Sequence, residues 1–144
     1  MIGDGMTISF HTISLPTARL VWHCPFISVF SSDDGRINGA NFREYILLRL
    51  DGENWESDAH VENKVQVMQQ AGFAGWNAWK DENKKGLDCV VKIQRNGSVI
   101  TMQTENLGIA ISSVTTILDD VQDVYVALTG DQCAITNICV SRGE

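Results

Sequence analysis

Basic residues are scarce in this 144-residue chain: 11 Lys and Arg stand against 18 Asp and Glu, for a formal net charge of -7. That balance excludes a protein held on nucleic acid by its phosphates, which needs a basic surface, and it disfavours an anionic membrane surface. No apolar run approaches the roughly 20 residues of a spanning helix, so no membrane anchor is expected. No secretion signal stands at the start. The opening Met1-Ile2-Gly3-Asp4-Gly5 suits the edge of a module within a larger protein, so the missing signal says little about location. There is no internal repeat and no low-complexity tract. No CxxC occurs among Cys24, Cys89, Cys133 and Cys139, and their spacings of 65, 44 and 6 form no zinc pattern. Cys133 and Cys139 fall on one strand, where six extended residues span roughly 20 Å; bridged Cα atoms must lie within about 7 Å. Four buried free thiols are expected.

Chemical motifs are equally thin. Neither Gly-x-Gly-x-x-Gly nor Gly-Lys-Ser/Thr is present, which removes the common phosphate loops. Glycosidases need paired carboxylates across a groove, and no compact Glu-x-Asp-x-Glu run exists. The acids Asp33, Asp34, Asp51, Glu53, Glu56, Asp119, Asp120 and Asp123 sit in turn-like segments. Glu44 and Glu105 lie near strand ends and could meet only across a sheet. His11, His23 and His60 lack neighbours at metal-site spacing. His23 and Cys24 are adjacent, and adjacent strand residues face opposite ways, so they form no dyad. No catalytic residue is assigned.

What is present is strand chemistry. Cys89–Thr104 reads C-V-V-K-I-Q-R-N-G-S-V-I-T-M-Q-T. Asn96-Gly97 tolerates the positive φ values of a type I′ turn, and alternation holds on both sides, so this is a hairpin. A lone hairpin is marginal in water, and the other apolar stretches are expected to be its sheet neighbours. Thr7–Leu15 reads as a strand with a bulge, ended by Pro16. Ala18–Phe30 is strand-like but interrupted at Pro25, which cannot donate to a ladder; Trp22 within it is expected in the core. Ser31–Asn41 is a turn-rich loop. Phe42–Asp51 alternates Ile46, Leu48 and Leu50 against Tyr45, Leu47 and Arg49, as a central strand would.

Asp58–Ala71 is the expected helix, with Asp58 as cap, Val61, Val65 and Met68 at helical spacing, and Gly72 as stop. A strand over Lys64–Met68 is the alternative. Phe73–Lys85 reads as a long loop with a short helical turn. Leu107–Ile117, Val124–Leu128 and Cys133–Val140 complete the strands. Seven to nine strands with at most one short helix indicate a single all-β domain, an antiparallel β-sandwich or jelly roll with its ordered core over 7–140; a β-barrel is the alternative.

The aromatics carry the functional signal. Trp55 lies in G-E-N-W-E-S, and Trp76 and Trp79 lie in G-W-N-A-W-K-D-E. A tryptophan in such polar company either plugs a loop onto the sheet or presents its ring to a ligand. Sugar rings stack their C–H faces on flat aromatics, and their hydroxyls want planar polar partners. Asn54, Asn63, Asn77, Asn83, Gln69, Gln70 and Gln103 are available as such partners. Trp76 and Trp79 share a face only in a helix. Asp33, Asp34 and Asn38 form a weak candidate calcium group, and Asp119, Asp120 and Asp123 another; apart from such a structural ion no cofactor is expected.

The order W-H-C-P-F, S-S-D-D-G-R-I-N-G, Y-I-L-L-R-L-D-G-E-N-W, G-W-N-A-W-K, R-N-G and V-Y-V-A-L-T-G-D-Q-C-A-I-T-N-I resembles the β-sandwich carbohydrate-binding modules of bacterial enzymes that degrade plant cell walls, from about residue 7 to residue 140. The resemblance implies a non-catalytic, extracellular module of a multi-domain enzyme that holds it on a neutral polysaccharide. It nominates Trp55, Trp76 and Trp79 for stacking, with Asn54, Asn77 and Gln103 as hydrogen-bonding partners. Two other readings stand beside it: a structural or protein-interaction sandwich with buried tryptophans, and a small polysaccharide-acting enzyme.

Overall fold

The computed structural model describes residues 2, 5–16, 24–56, 58–121, 123–130 and 132–142. Trp22 and His23 lie outside them. Ten strands and one helix follow in order: β1 Gly5–Ser14, β2 Pro25–Ser31, β3 Arg43–Arg49, β4 Asn54–Trp55, β5 Val61–Gln69, α1 Trp76–Lys85, β6 Leu87–Asn96, β7 Val99–Asn106, β8 Ile109–Ile117, β9 Tyr125–Gly130 and β10 Cys133–Arg142. They form two antiparallel sheets, a six-stranded one ordered β10-β1-β6-β7-β8-β5 and a four-stranded one ordered β4-β3-β2-β9. The all-β sandwich expected from the sequence is the observed architecture. Its pairing is nested: β1 with β10, β2 with β9, β5 with β8 and β6 with β7, as in a hairpin rolled upon itself.

Period-two alternation builds the core. Ile8 and Phe10 of β1, Val91 and Ile93 of β6, Ile100 and Met102 of β7 and Ile109 and Ile111 of β8 turn inward. Ile27, Val29, Ile46 and Leu48 meet them from the smaller sheet. The hairpin forms where it was expected, but its two-residue loop is Gly97-Ser98. Asn96 is paired opposite Val99, and Gly97 takes φ 62 while Asn96 does not take a positive φ, so the type I′ turn expected over Asn96-Gly97 is shifted by one residue. Pro25 takes the first position of a central strand, opposite Gly130, where its missing N–H leaves most of the ladder intact.

Two bulges break the simple alternation. The register of β1 with β10 slips between Ser9 and His11, which leaves Phe10 opposite both Asn137 and Ile138. Asn137 takes up the extra residue at φ 54. The bulge foreseen in Thr7–Leu15 thus falls on the partner strand. In β3 the register slips between Ile46 and Glu44, so Tyr45 has no opposite residue. Tyr45 is fully buried, although alternation alone had placed it with the outward residues. Its hydroxyl lies 2.7 Å from Ser31 Oγ.

The helix expected over Asp58–Ala71 is instead β5, paired with β8 through nine consecutive residues from Val61–Ile117 to Gln69–Ile109. Val61 and Val65, four apart, fit either period, whereas Met68 fits only the helical one and stands outward on the strand, 62% exposed; β-branched residues beside a ready partner strand settle the matter. The helix stands at Trp76–Lys85. Its amino-terminal residue is preceded by Gly75 without a side-chain cap, while Lys84 and Lys85 occupy its last turn, where cations suit the helix dipole.

Polar ties close the sandwich. Asn63 on β5 donates to the Tyr45 carbonyl at 2.8 Å and to Glu56 at 2.6 Å, and accepts from Thr115 at 2.6 Å. Arg43 forks onto Asp58 at 2.9 and 3.0 Å and reaches Asp119 at 2.8 Å, with His60 Nδ1 3.5 Å from Asp119. All four cysteines are free: Cys24 and Cys89 are buried, Cys133 is intermediate and Cys139 is exposed, so burial holds for only part of the set. Burial pushes the Cys24 and Cys89 thiols up to about 12, which makes them unreactive.

Two outcomes follow. Gly108 sits at φ +84, and a Cβ there would come within 2.6 Å of Phe73 N and Cα. Gly108→Ala should therefore destabilise by about 2 kcal/mol in urea unfolding. The Arg43 guanidinium holds the Asp58 carboxyl below its ordinary value, chiefly by hydrogen bonding. A depressed folded-state value means stability that is complete above about pH 4 and is lost as pH falls through the folded value. Between pH 5 and pH 2 the thermal midpoint of the natural chain should fall more than that of Asp58→Asn; parallel curves would remove this linkage.

Candidate functional site

The loop end of the sandwich gathers several of the residues singled out in the sequence. The β3–β4 turn is an Asp-Gly step held by charge. Asp51 is 6% exposed, and Arg49 reaches it at 2.8 Å from Nε and 2.6 Å from a terminal nitrogen. Asp51 also accepts the Glu53 N–H at 3.0 Å. Gly52 adopts φ +103, and a Cβ there would collide with Val67 of β5. The turn therefore lies flush against the edge strand of the larger sheet.

Trp76 enters from the opposite side. Trp79, one helical turn on, is 2% exposed, and its indole N–H donates to Asn106 Oδ1 at 3.1 Å. Asn106 in turn donates to the Leu50 carbonyl at 3.4 Å. This chain moors α1 to both sheets. Trp76 packs edge-on to Trp79 at 5.8 Å and to Phe73 at 5.1 Å, half-buried. Its ring closes a cleft of about 510 Å³ with Arg49, Asp51, Gly52, Glu53, Asn54 and Val67. Next to the cleft, Trp55 remains 45% exposed. The Arg49 guanidinium lies 5.6 Å over its ring, and Phe26 meets it at 5.8 Å.

The six expected ligand-binding residues therefore separate. Trp76 and Asn54 line one cleft, and Trp55 adjoins it through Arg49. Trp79 is a core residue: helical spacing does put it on the face of Trp76, but that face turns inward. Asn77 is exposed on α1 outside the cleft lining. Gln103 is exposed on β7, on the outward face of the six-stranded sheet. Asn63 and Asn83 drop out as sugar partners: Asn63 is engaged in the ties above, and Asn83 is 2% exposed. Asn54 keeps its amide oxygen without a partner among the described residues, its nitrogen donating to the Gly52 carbonyl at 3.1 Å.

Arg49, Asp51, Gly52 and Glu53 were not foreseen as site residues. The L-D-G-E-N-W stretch marked a turn, and only the fold sets that turn opposite α1. The 31–41 loop closes on itself. Asp33 accepts from Asn41 at 2.8 Å, and Asp34 accepts from Ser32 at 3.2 Å and the Arg36 N–H at 3.1 Å, while Asn38 stands exposed at φ 56. Among the described residues no group of three His, Cys, Asp or Glu side chains converges as a metal site. Glu44 and Glu105 lie in different sheets, bonded to Ser28 at 2.7 Å and Gln70 at 3.3 Å.

Compared with known protein families, curated proteins and solved structures, the chain matches none.

Removing Asp51 takes away the carboxylate that accepts from the half-buried Arg49 guanidinium and from the Glu53 N–H. Asp51→Ala should cost about 2–3 kcal/mol in chemical unfolding. Glu53→Ala, at an exposed side chain, should stay within about 0.5 kcal/mol of the natural chain.

Proposed function

We propose that the protein is a non-catalytic module that binds a neutral polysaccharide, such as a β-glucan, xyloglucan or another hemicellulose, in the cleft between Trp76 and the β3–β4 turn. The observation that supports it is the joint lining of one solvent-open cleft by an indole and an amide, with the partly exposed Trp55 ring next to it. The indole offers a flat face to a sugar ring. Asn54 and Glu53 offer planar polar groups to its hydroxyls. Net negative charge favours a neutral ligand over a polyanion. In this reading the module serves a multi-domain extracellular enzyme by holding it on its polymer, an effective-concentration gain.

One observation favours a protein-interaction reading instead. The edge strand β10 is exposed from Asn137 to Arg142 and shows Ile138 and Val140 at 57% and 51% exposure, a surface suited to strand addition.

Tryptophan fluorescence separates the two. Titration with soluble β-glucans, xyloglucan, xylan and mannans should give a saturable shift with micromolar to millimolar affinity, roughly -8 to -4 kcal/mol, and no new reducing ends. Trp76→Ala should weaken binding by about 10-fold or more. No shift across the panel would leave the interaction reading standing.

A further inference from the structure

The two edges of the six-stranded sheet are unlike. β5 is guarded in the ways edge strands usually are: it carries Glu62 and Lys64, and the Gly52 turn lies against its Val67. β10 reads C-A-I-T-N-I-C-V-S-R. It holds no proline and no acid, and no charge before Arg142. Among the described residues only β1 pairs with it. From Thr136 onward its residues are exposed. Val140 stands opposite the buried Ile8, and Ile138 beside the buried Phe10, so both turn to the inner face of the sheet. Both are nevertheless exposed, because the four-stranded sheet stops short of them.

One bond fixes which way the backbone groups of β10 point. Leu15 donates its N–H to the Gln132 carbonyl at 2.9 Å, and the same register continues through Ile13–Ala134 and His11–Thr136. In an antiparallel ladder every second residue pair exchanges both bonds, so Leu15, Ile13, His11, Ser9 and Thr7 all turn their N–H and C=O toward β10. The extra residue of the bulge lies on β10, and beyond it Ser9 meets Cys139 and Thr7 meets Ser141. Cys139 therefore directs its backbone bonds to β1, while Ile138 and Val140 turn theirs to the open side.

We propose that this edge pairs with the same edge of a second copy of the chain, antiparallel, about a two-fold axis at Cys139, so that two six-stranded sheets join into one. A contact of a surface with itself requires that the surface be self-complementary, and β10 is. In this register Ile138 faces Val140 of the second copy, and Val140 faces its Ile138. Both pairs exchange backbone bonds, and the exposed aliphatic side chains of one copy cover those of the other. An axis at Val140 would instead set Arg142 against Ile138. The lack of acids on β10 matters because each copy has a net charge of -7, and like charges across an interface repel. The two Cys139 residues fall directly opposite at a non-hydrogen-bonded position, with Cα atoms about 4.5 Å apart, within reach of a disulfide. The segment from Ile138 to Arg142 is about 17 Å long. A contact one strand wide over that length falls below the roughly 1,200 Å² of standard interfaces, so the dimer is weak and exchanges with the monomer. It does not depend on what the Trp76 cleft binds.

Sedimentation and amide hydrogen exchange of the reduced natural chain test this. The dimer fraction should grow with concentration, with a dissociation constant on the order of 0.1 mM, and the Ile138 and Val140 amides should become protected in parallel. Val140→Lys, at an exposed position, should weaken the dimer about 10-fold or more at an unchanged unfolding midpoint. Oxidised glutathione then reports the register. Two Cys139 thiols are oxidised to one disulfide, and glutathione disulfide is reduced to two glutathione thiols, which take up the two protons. A covalent dimer should form in the natural chain and in Cys133→Ser, and should be absent in Cys139→Ser. A chain that stays monomeric up to about 1 mM, or a dimer untouched by Val140→Lys, would overturn the proposal. So would Ile138 and Val140 amides protected only by an added neutral extended peptide of unrelated sequence. A dimer whose Cys139 thiols form only mixed disulfides with glutathione would overturn the register.

Discussion

A buried hydrogen-bonded chain holds the arrangement of this molecule together: the Trp79 indole N–H to Asn106, and Asn106 to the Leu50 carbonyl. Burial of an indole of this size contributes on the order of 4–5 kcal/mol from apolar area alone. Area has no direction, however. The two polar bonds fix where the ring sits, because a buried N–H or amide without a partner costs about 1–3 kcal/mol. They bind α1 to the end of β7 and to the β3–β4 turn at once. Trp76 and the turn that faces it are therefore placed by the same two bonds.

Other ties act at the remaining corners. Asn63 bridges β5 and β3, and Arg43 gathers Asp58 and Asp119 beside the β5 entry. Both engage polar groups that face the opposite sheet or its connecting turns. The Arg49–Asp51 pair does the same at the cleft, and its guanidinium also lies over Trp55. Site and scaffold are thus joined through the β3–β4 turn: Asp51 supports the fold, while Asn54 and Glu53 face the space that the fold encloses.

Much of the fold was legible because alternation is local. The hairpin at Asn96-Gly97, the inward triad Ile46, Leu48 and Leu50, and the stop at Pro16 all follow from residue types at short range. The errors lie where a partner strand decides. Val61–Gln69 carries both periods, and only β8 selects the strand. Tyr45 belongs to the inward set because a bulge opposite β2 turns it, and no local pattern marks that slip. The site was half legible. Trp55, Trp76 and Asn54 were visible as aromatics and an amide out of apolar context. The burial of Trp79 followed from a helix that lacks a capping side chain and so carries no start signal.

The central claim is that Trp79 anchors α1 so that Trp76 meets a glycan beside Trp55. The most direct test follows the indole N–H resonances, assigned with single Trp→Phe variants, while a soluble neutral polysaccharide is added. The Trp76 and Trp55 resonances should shift in a saturable way, whereas the Trp79 resonance, bonded to Asn106, stays in place and exchanges slowly with solvent. A Trp79 signal that exchanges rapidly and moves with ligand, or Trp76 and Trp55 signals that remain fixed throughout the titration, would contradict the account.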